Sequence, residues 1–479
     1  MSVLKKSFLG IVSLLVAQGC TSSFEDLNKN PNLVEHISPA TLLNPIIYEV
    51  ASHNVYRGGW QITDYLMQVN LPFPSVYGGV HRYEITDNLG ASTWNAYYKW
   101  AANIREMELA ADAYKDVNYK AISLTLKTLV YAELTDVFGD IPMSEASKGD
   151  QGILRPKFDT QEEIYTQLLA NLEQANTLYD TSSSMVYSPD ILFGNDIKLW
   201  KKFTNSLHLR LLLRISNRVE TQAFAKMTFM LNNPNLYPVF TSTEEAAVLQ
   251  VTGVNPNISP WSRTQDFRLN RKMSTFFLNN LNNFEDPRRD VFATKATNSD
   301  NMDIGYVGIP SAYDGSESQF NYNASTLEIS MVENPMILPI LTFSEVCFIK
   351  AELAQRGYID NAQHYYEEGV KAAMELWGVN IPETYFDNPY TAYDGSLERI
   401  MLQKYYALYF NGYQQWFEYR RTGFPELPTT TSMLNDGVMP SRLYYPLDIR
   451  VQNSTNYEEV VKRIGGDDIN TKVWWDIVD

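Results

Sequence analysis

The stretch AISLTLKTLVYAELTDVFGDIP, residues 121–142, decides how the chain folds. Its apolar residues Ile122, Leu126, Leu129, Val130, Leu134 and Val137 are spaced 4, 3, 1, 4 and 3 apart. That spacing lays one stripe along a helix that must bury it. Gly139 and Pro142 end the pattern, glycine by accepting a left-handed turn and proline by lacking an N–H. Outward from this segment the same period returns. Trp94 to Tyr114 precedes it, and Ile164, Leu168, Leu172, Ala175 and Tyr179 follow Thr160, which has Glu163 at the capping-box offset. Trp200, Phe203, Leu207, Leu211 and Ile215 make a further helix. After an interruption, Thr342 with Glu345, the run Ala362, Tyr366, Val370, Ala373 and Trp377, and Ser396 to Phe410 resume the pattern. Helix pairs of this length imply an all-α dominated, tetratricopeptide-like helical-pair scaffold, with long irregular loop insertions forming a ligand face.

The expected organisation is a signal peptide over 1–19, a lipidated cysteine and tether over 20–37, and an N-terminal helical half over 38–229. A loop-rich insertion over 230–340, a C-terminal helical part over 341–425 and an irregular segment over 426–479 complete one domain. The leader MSVLKKSFLGIVSLLVAQGC has Lys5 and Lys6 before a short apolar run, too short to span a bilayer. The run ends in Val16-Ala17-Gln18-Gly19-Cys20, which resembles a bacterial lipobox and makes Cys20 the lipidation site. Cys347, the other of two cysteines, falls on a helix and reads as an inert core thiol.

The 479 residues carry a formal charge of −17, which argues against nucleic acid as a partner, because phosphate binding needs clustered Lys and Arg. Phosphate-loop, dinucleotide, zinc-protease and nucleophile-elbow motifs are absent from the sequence, and the five histidines lack metal-ligand spacing. The expectation is therefore no cofactor, no metal and no catalytic residue. Asp300 and Asp303 read as a solvated turn.

A sugar presents an apolar C–H face and a hydroxyl edge, so its site needs Trp or Tyr beside polar side chains. Two loops hold both. Residues 53–90 carry Tyr56, Arg57, Trp60, Gln68, Asn70, Tyr77, His81, Arg82 and Tyr83 among paired glycines, and residues 255–322 carry Trp261, Arg263, Gln265, Tyr306, Tyr313, Asp314, Phe320 and Tyr322. If the loops meet, Trp60, Tyr77, Arg82, Tyr83, Trp261, Tyr313 and Tyr322 form a concave ligand cleft. Aromatics on loops also cap helix ends, and Trp60 stands close to a helical pattern. Trp416 with Arg420 and Arg421 reads as scaffold.

Several segments in order resemble the SusD/RagB family of nutrient-binding outer-membrane lipoproteins, in its SusD-like subgroup. They are the lipobox with Phe24 to Asn28 and Asn30-Pro31-Asn32, Phe138 to Pro142 with Ser144-Glu145-Ala146, and Gly194-Asn195-Asp196 leading into Trp200 to Ser216. Asp286-Pro287-Arg288, Tyr306 to Pro310, Phe343 to Glu352, Asn411 to Gly423 and Arg442 to Pro446 continue the match. The resemblance implies a surface lipoprotein, anchored in the membrane by lipid, that captures an oligosaccharide for a SusC-like TonB-dependent transporter and performs no chemistry on it. An oligopeptide ligand, a surface glycosidase and a scaffold whose only ligand is the transporter are the competing readings.

Overall fold

Helix forms where the apolar period appears. The computed structural model describes residues 38–313 and 316–477, so the leader, Cys20 and the tether lie outside the described residues. Helix α1 spans Pro39–His53, α2 Ala91–Tyr114, α3 Val117–Phe138, α4 Gln161–Leu178, α5 Ile197–Arg214 and α6 Ala223–Asn232. After the interruption come α7 Thr275–Asn283, α8 Phe343–Gln355, α9 Ala362–Leu376, α10 Leu397–Ala407, α11 Gln414–Thr422 and α12 Ser454–Ile464. Helices α2 to α5 pack each on the next, and α8 packs on both α9 and α10. The fold is the expected helical-pair scaffold.

The caps follow local chemistry. Asp116 and Asp196 accept hydrogen bonds from the first free amides of α3 and α5, and Gly139 ends α3 at φ 82°. Thr160 and Glu163 form a reciprocal capping box. At α8 only half of the box forms. Thr342 accepts from the Glu345 amide, but the Glu345 carboxylate turns inward to Arg210 of α5, at 2.5 and 2.6 Å. A buried guanidinium outcompetes a solvated cap.

Charged groups join the two halves inside the core. Arg421 of α11 donates to both oxygens of Glu352 on α8 at 2.9 and 2.6 Å and also reaches Glu418, which pairs with Lys404 of α10 at 2.7 Å. Burial raises the Glu418 carboxyl, but Arg421, Lys404 and Arg214 outweigh it and hold the group well below the usual range. Arg214 of α5 donates to Gln414 at 2.7 Å and lies 3.6 Å from both Asp136 and Glu418. Trp416, with Arg420 over its ring at 4.3 Å, is buried scaffold.

Two sequence expectations differ from the structure. The tail after 425, expected to be irregular, carries α12, whose single inward stripe at Val460, Val461 and Ile464 is too short to stand out in sequence. The first candidate loop begins as helix, because α1 continues into a π-helical stretch over Asn54–Thr63. Its glycines serve close packing. A Cβ on Gly58 would lie 2.8 Å from the Tyr413 ring, so only glycine lets this stretch press against the start of α11.

Three antiparallel two-stranded ribbons organise the interruption. Strand β1 (Asn70–Pro72) pairs with β3 (Arg271–Met273), β2 (Ala247–Val251) with β6 (Met336–Leu341), and β4 (Thr297–Asn298) with β5 (Tyr322–Asn323). The β1–β3 register, Leu71 opposite Lys272, brings the two candidate loops together.

Candidate functional site

Beyond β1 the chain enters a loop held by one arginine. Arg82 donates to the carbonyls of Val76 at 3.1 Å, Ser432 at 2.7 Å and Tyr313 at 3.1 Å, and to the Ser75 hydroxyl at 3.2 Å. Its planar fork thereby joins three segments that are distant in sequence. Gln68 repeats the device. Its amide donates to the Pro428 carbonyl at 2.9 Å and the Tyr83 hydroxyl at 3.3 Å, and its oxygen accepts from Ser311 at 2.6 Å.

These bonds shape a cleft of about 400 Å³ lined by Ser75, Tyr77, Arg82, Tyr313 and the segment Thr431–Leu434. Tyr77 stands on its rim, 85% exposed, with Val76 half exposed beside it. Tyr313 forms a wall. Its hydroxyl accepts from the Ser75 amide at 3.0 Å and donates to Glu317 at 3.2 Å, and burial together with Glu317 raises its pKa. His81, on the turn behind, is held to about 4 by burial and then by Arg82, so it stays neutral. An exposed ring beside hydroxyls and backbone amides can stack on an apolar ligand face and bind its polar edge.

The sequence-selected residues divide between this surface and the framework beneath it. Tyr77, Arg82 and Tyr313 converge on the cleft. Tyr322 lies farther along, its hydroxyl donating to the Gly308 carbonyl at 3.0 Å, and the rings of Tyr313, Phe320 and Tyr322 form a ridge with centroids 5.0 and 5.7 Å apart. Trp60, Tyr83 and Trp261 are buried, which corrects their placement on an open face. Trp60 donates to the Phe267 carbonyl at 2.9 Å under the Arg271 guanidinium, 3.9 Å above its ring. Trp261 stacks on Phe410 at 5.9 Å and is 3% exposed. Beside them burial raises the Asp64 carboxyl to about 6, against the pull of Arg271 and Asn70. Tyr306 packs under Arg289 and donates to Asp290. Cys347 is buried in the core, and burial pushes its thiol well up.

Sequence reasoning missed the cleft's third side. Thr431, Ser432, Met433 and Leu434 come from the tail, where the run Thr429-Thr430-Thr431-Ser432 is polar but carries no ring or charge to draw attention. Among the described residues no group of His, Cys, Asp or Glu is arranged to hold a metal ion, and no helix is long and apolar enough to cross a membrane.

A family model described as starch-binding and associating with the outer membrane matches residues 31–446. The chain belongs to the SusD-like family. It is accordingly a binding protein, not an enzyme, of an outer-membrane-associated family. Among solved structures, a chitin-binding protein superimposes with a TM-score of 0.78 at 25% identity, over 92% of this chain and all of that one. A SusD homologue of Bacteroides fragilis gives 0.77 at 23% identity, over 92% and 99%. A chitin-binding SusD homologue of Flavobacterium johnsoniae gives 0.76 at 23%, over 92% and 98%. No curated protein matches the sequence.

Proposed function

We propose that this SusD-like protein captures an oligosaccharide at the Tyr77 cleft and passes it to a SusC-like TonB-dependent transporter. Lipid on Cys20 holds it to the outer membrane with the cleft facing outward. The observation that carries the reading is the exposed Tyr77 ring at the mouth of a cleft whose walls are hydroxyls, amides and Tyr313. A pyranose stacks its C–H face on Tyr77 while its hydroxyls meet Ser75 and Thr431. Capture needs only binding energy, because import energy enters through the transporter. The chitin-binding relative makes N-acetylglucosamine oligomers the first ligand to try.

Titration calorimetry of the purified protein against the N-acetylglucosamine trimer tests this, with trialanine for the peptide reading. The trimer binds, and Tyr77→Ala weakens it about tenfold, or ~1.4 kcal/mol, without moving Tm. Binding of trialanine alone, or indifference of the trimer to Tyr77→Ala, refutes it. Surface proteolysis of intact cells and co-purification of the transporter check exposure and delivery. Cys20→Ser, which frees the protein from the membrane, checks the anchor.

A further inference from the structure

A second cleft of about 680 Å³ opens at the far end of the aromatic ridge, its walls including Asn279, Asn282, Arg289, Lys295, Tyr306 and Tyr322. Its charge is the reverse of the whole chain's. The protein has 56 acidic and 39 basic residues, yet the lining holds two cations and no carboxylate. Two acids stand just outside and are engaged. Asp290 accepts from Tyr306, while Asp303 accepts from the Gly305 amide at 2.7 Å and pairs with Lys295 at 3.0 Å. The Lys295 pair is more than half exposed and therefore weak.

Arg289 is the unusual member. Its Nη1 makes one long hydrogen bond to Asn282 at 3.4 Å, its guanidinium lies 5.5 Å over Tyr306, and its Nε is buried without a hydrogen-bond partner. Among the described residues no carboxylate pairs with it. The buried Nε is closed to a ligand in the cleft, so recognition falls to the Nη groups, of which Nη1 is held only by that long bond. A guanidinium fork flanked by amides fits the two oxygens of a carboxylate.

We infer that this cleft is an anion-accepting subsite that selects oligosaccharides bearing a uronic-acid carboxylate. The inference rests on the glycan reading above. Tyr313 of the first cleft and Tyr322 of the second belong to one packed ring cluster through Phe320, so the same small core supports both clefts.

Titration with trigalacturonate tests it, beside the N-acetylglucosamine trimer, inorganic sulfate and trialanine. Trigalacturonate binds, its affinity falls as salt is raised, and Arg289→Gln weakens it about tenfold or more, as loss of a charge-assisted bidentate contact requires. Arg289→Gln leaves the affinity for the neutral trimer and the Tm unchanged, and Lys295→Gln, on the exposed rim, gives a smaller loss of the same sign. Absence of trigalacturonate binding, or equal binding by Arg289→Gln, overturns the inference. So does displacement of trigalacturonate by equimolar sulfate or trialanine, since the site then reads a bare anion or a peptide terminus. The Tyr77→Ala arm with the neutral trimer reads only the first cleft, so failure there and failure here are separate results.

Discussion

Replacing Arg82 by Gln separates framework from contact. The guanidinium makes four hydrogen bonds, three of them to carbonyls on the Val76, Tyr313 and Ser432 segments, and the residue is 5% exposed. A hydrogen bond to a charged group is worth about 1.5–3 kcal/mol, and four at the low end sum to roughly 6. The loops are partly wetted, so water re-satisfies some of the carbonyls, and a loss of about 2–4 kcal/mol follows. For a chain this long, that lowers Tm by roughly 2–4 °C. Because all three walls of the cleft hang on this side chain, affinity for the trimer falls together with Tm, and amide exchange rises at Val76 and Leu434, whose amide donates to the Arg82 carbonyl at 2.8 Å. Arg82→Lys does not rescue, since one ammonium cannot span three segments. Tyr77→Ala gives the opposite pattern, lost affinity at constant Tm. An Arg82→Gln protein that loses binding while keeping its Tm and loop protection refutes the framework role and makes Arg82 a direct ligand contact.

Glu352→Gln removes one of the two carboxylates that hold buried Arg421, leaving it to share Glu418 with Lys404 and Arg214, and costs up to about 3–5 kcal/mol, read by chemical denaturation. Gly308→Ala places a Cβ against the Ser274 carbonyl and 2.6 Å from the Thr275 amide nitrogen, backbone that cannot yield, so it destabilises by at least about 1–3 kcal/mol and distorts the second cleft before the first. Burial chiefly holds His53, His81 and His208 near 4, below the ordinary 6.5. Each therefore contributes stability above pH 6.5 that is lost as pH falls toward 4, about 1–3 kcal/mol per residue. His208→Gln flattens the stability profile across that window in urea titrations. Comparison with wild type cancels the opposite slope from Glu133 and Asp64, whose carboxyls burial raises to about 7 and 6.

Periodicity exposed the scaffold because a helix writes its buried stripe into neighbouring residues. The stripe quoted from Ile122 to Val137 is buried throughout α3. Composition likewise marked the two loops, and β1–β3 joins them. What a ring does inside a loop was not legible, since exposure depends on partners far along the chain. Trp261 looks like Tyr77 in sequence, yet Phe410 covers one and nothing covers the other. Arg82 lies at the cleft, but its work there is with Ser432, 350 residues on. The paired glycines 58 and 59 marked the first candidate loop, but the tight approach of Gly58 to the Tyr413 ring is a packing need that no local pattern encodes.

The internal ion network imposes an order on synthesis. Asp136, Arg210 and Arg214 lie in the N-terminal half, whereas their companions Glu345, Gln414, Glu418 and the Trp475 indole, which donates to Asp136 at 2.7 Å, are made 135 to 339 residues later. Until they emerge, Arg210 lacks its carboxylate and Asp136 has only Tyr165 and Arg214, so burying these groups is costly. A growing or threading chain is thus kept open along its leading half and closes only when nearly all of it is present. Fragments truncated before Trp475 are expected to be cut by protease faster than the full chain.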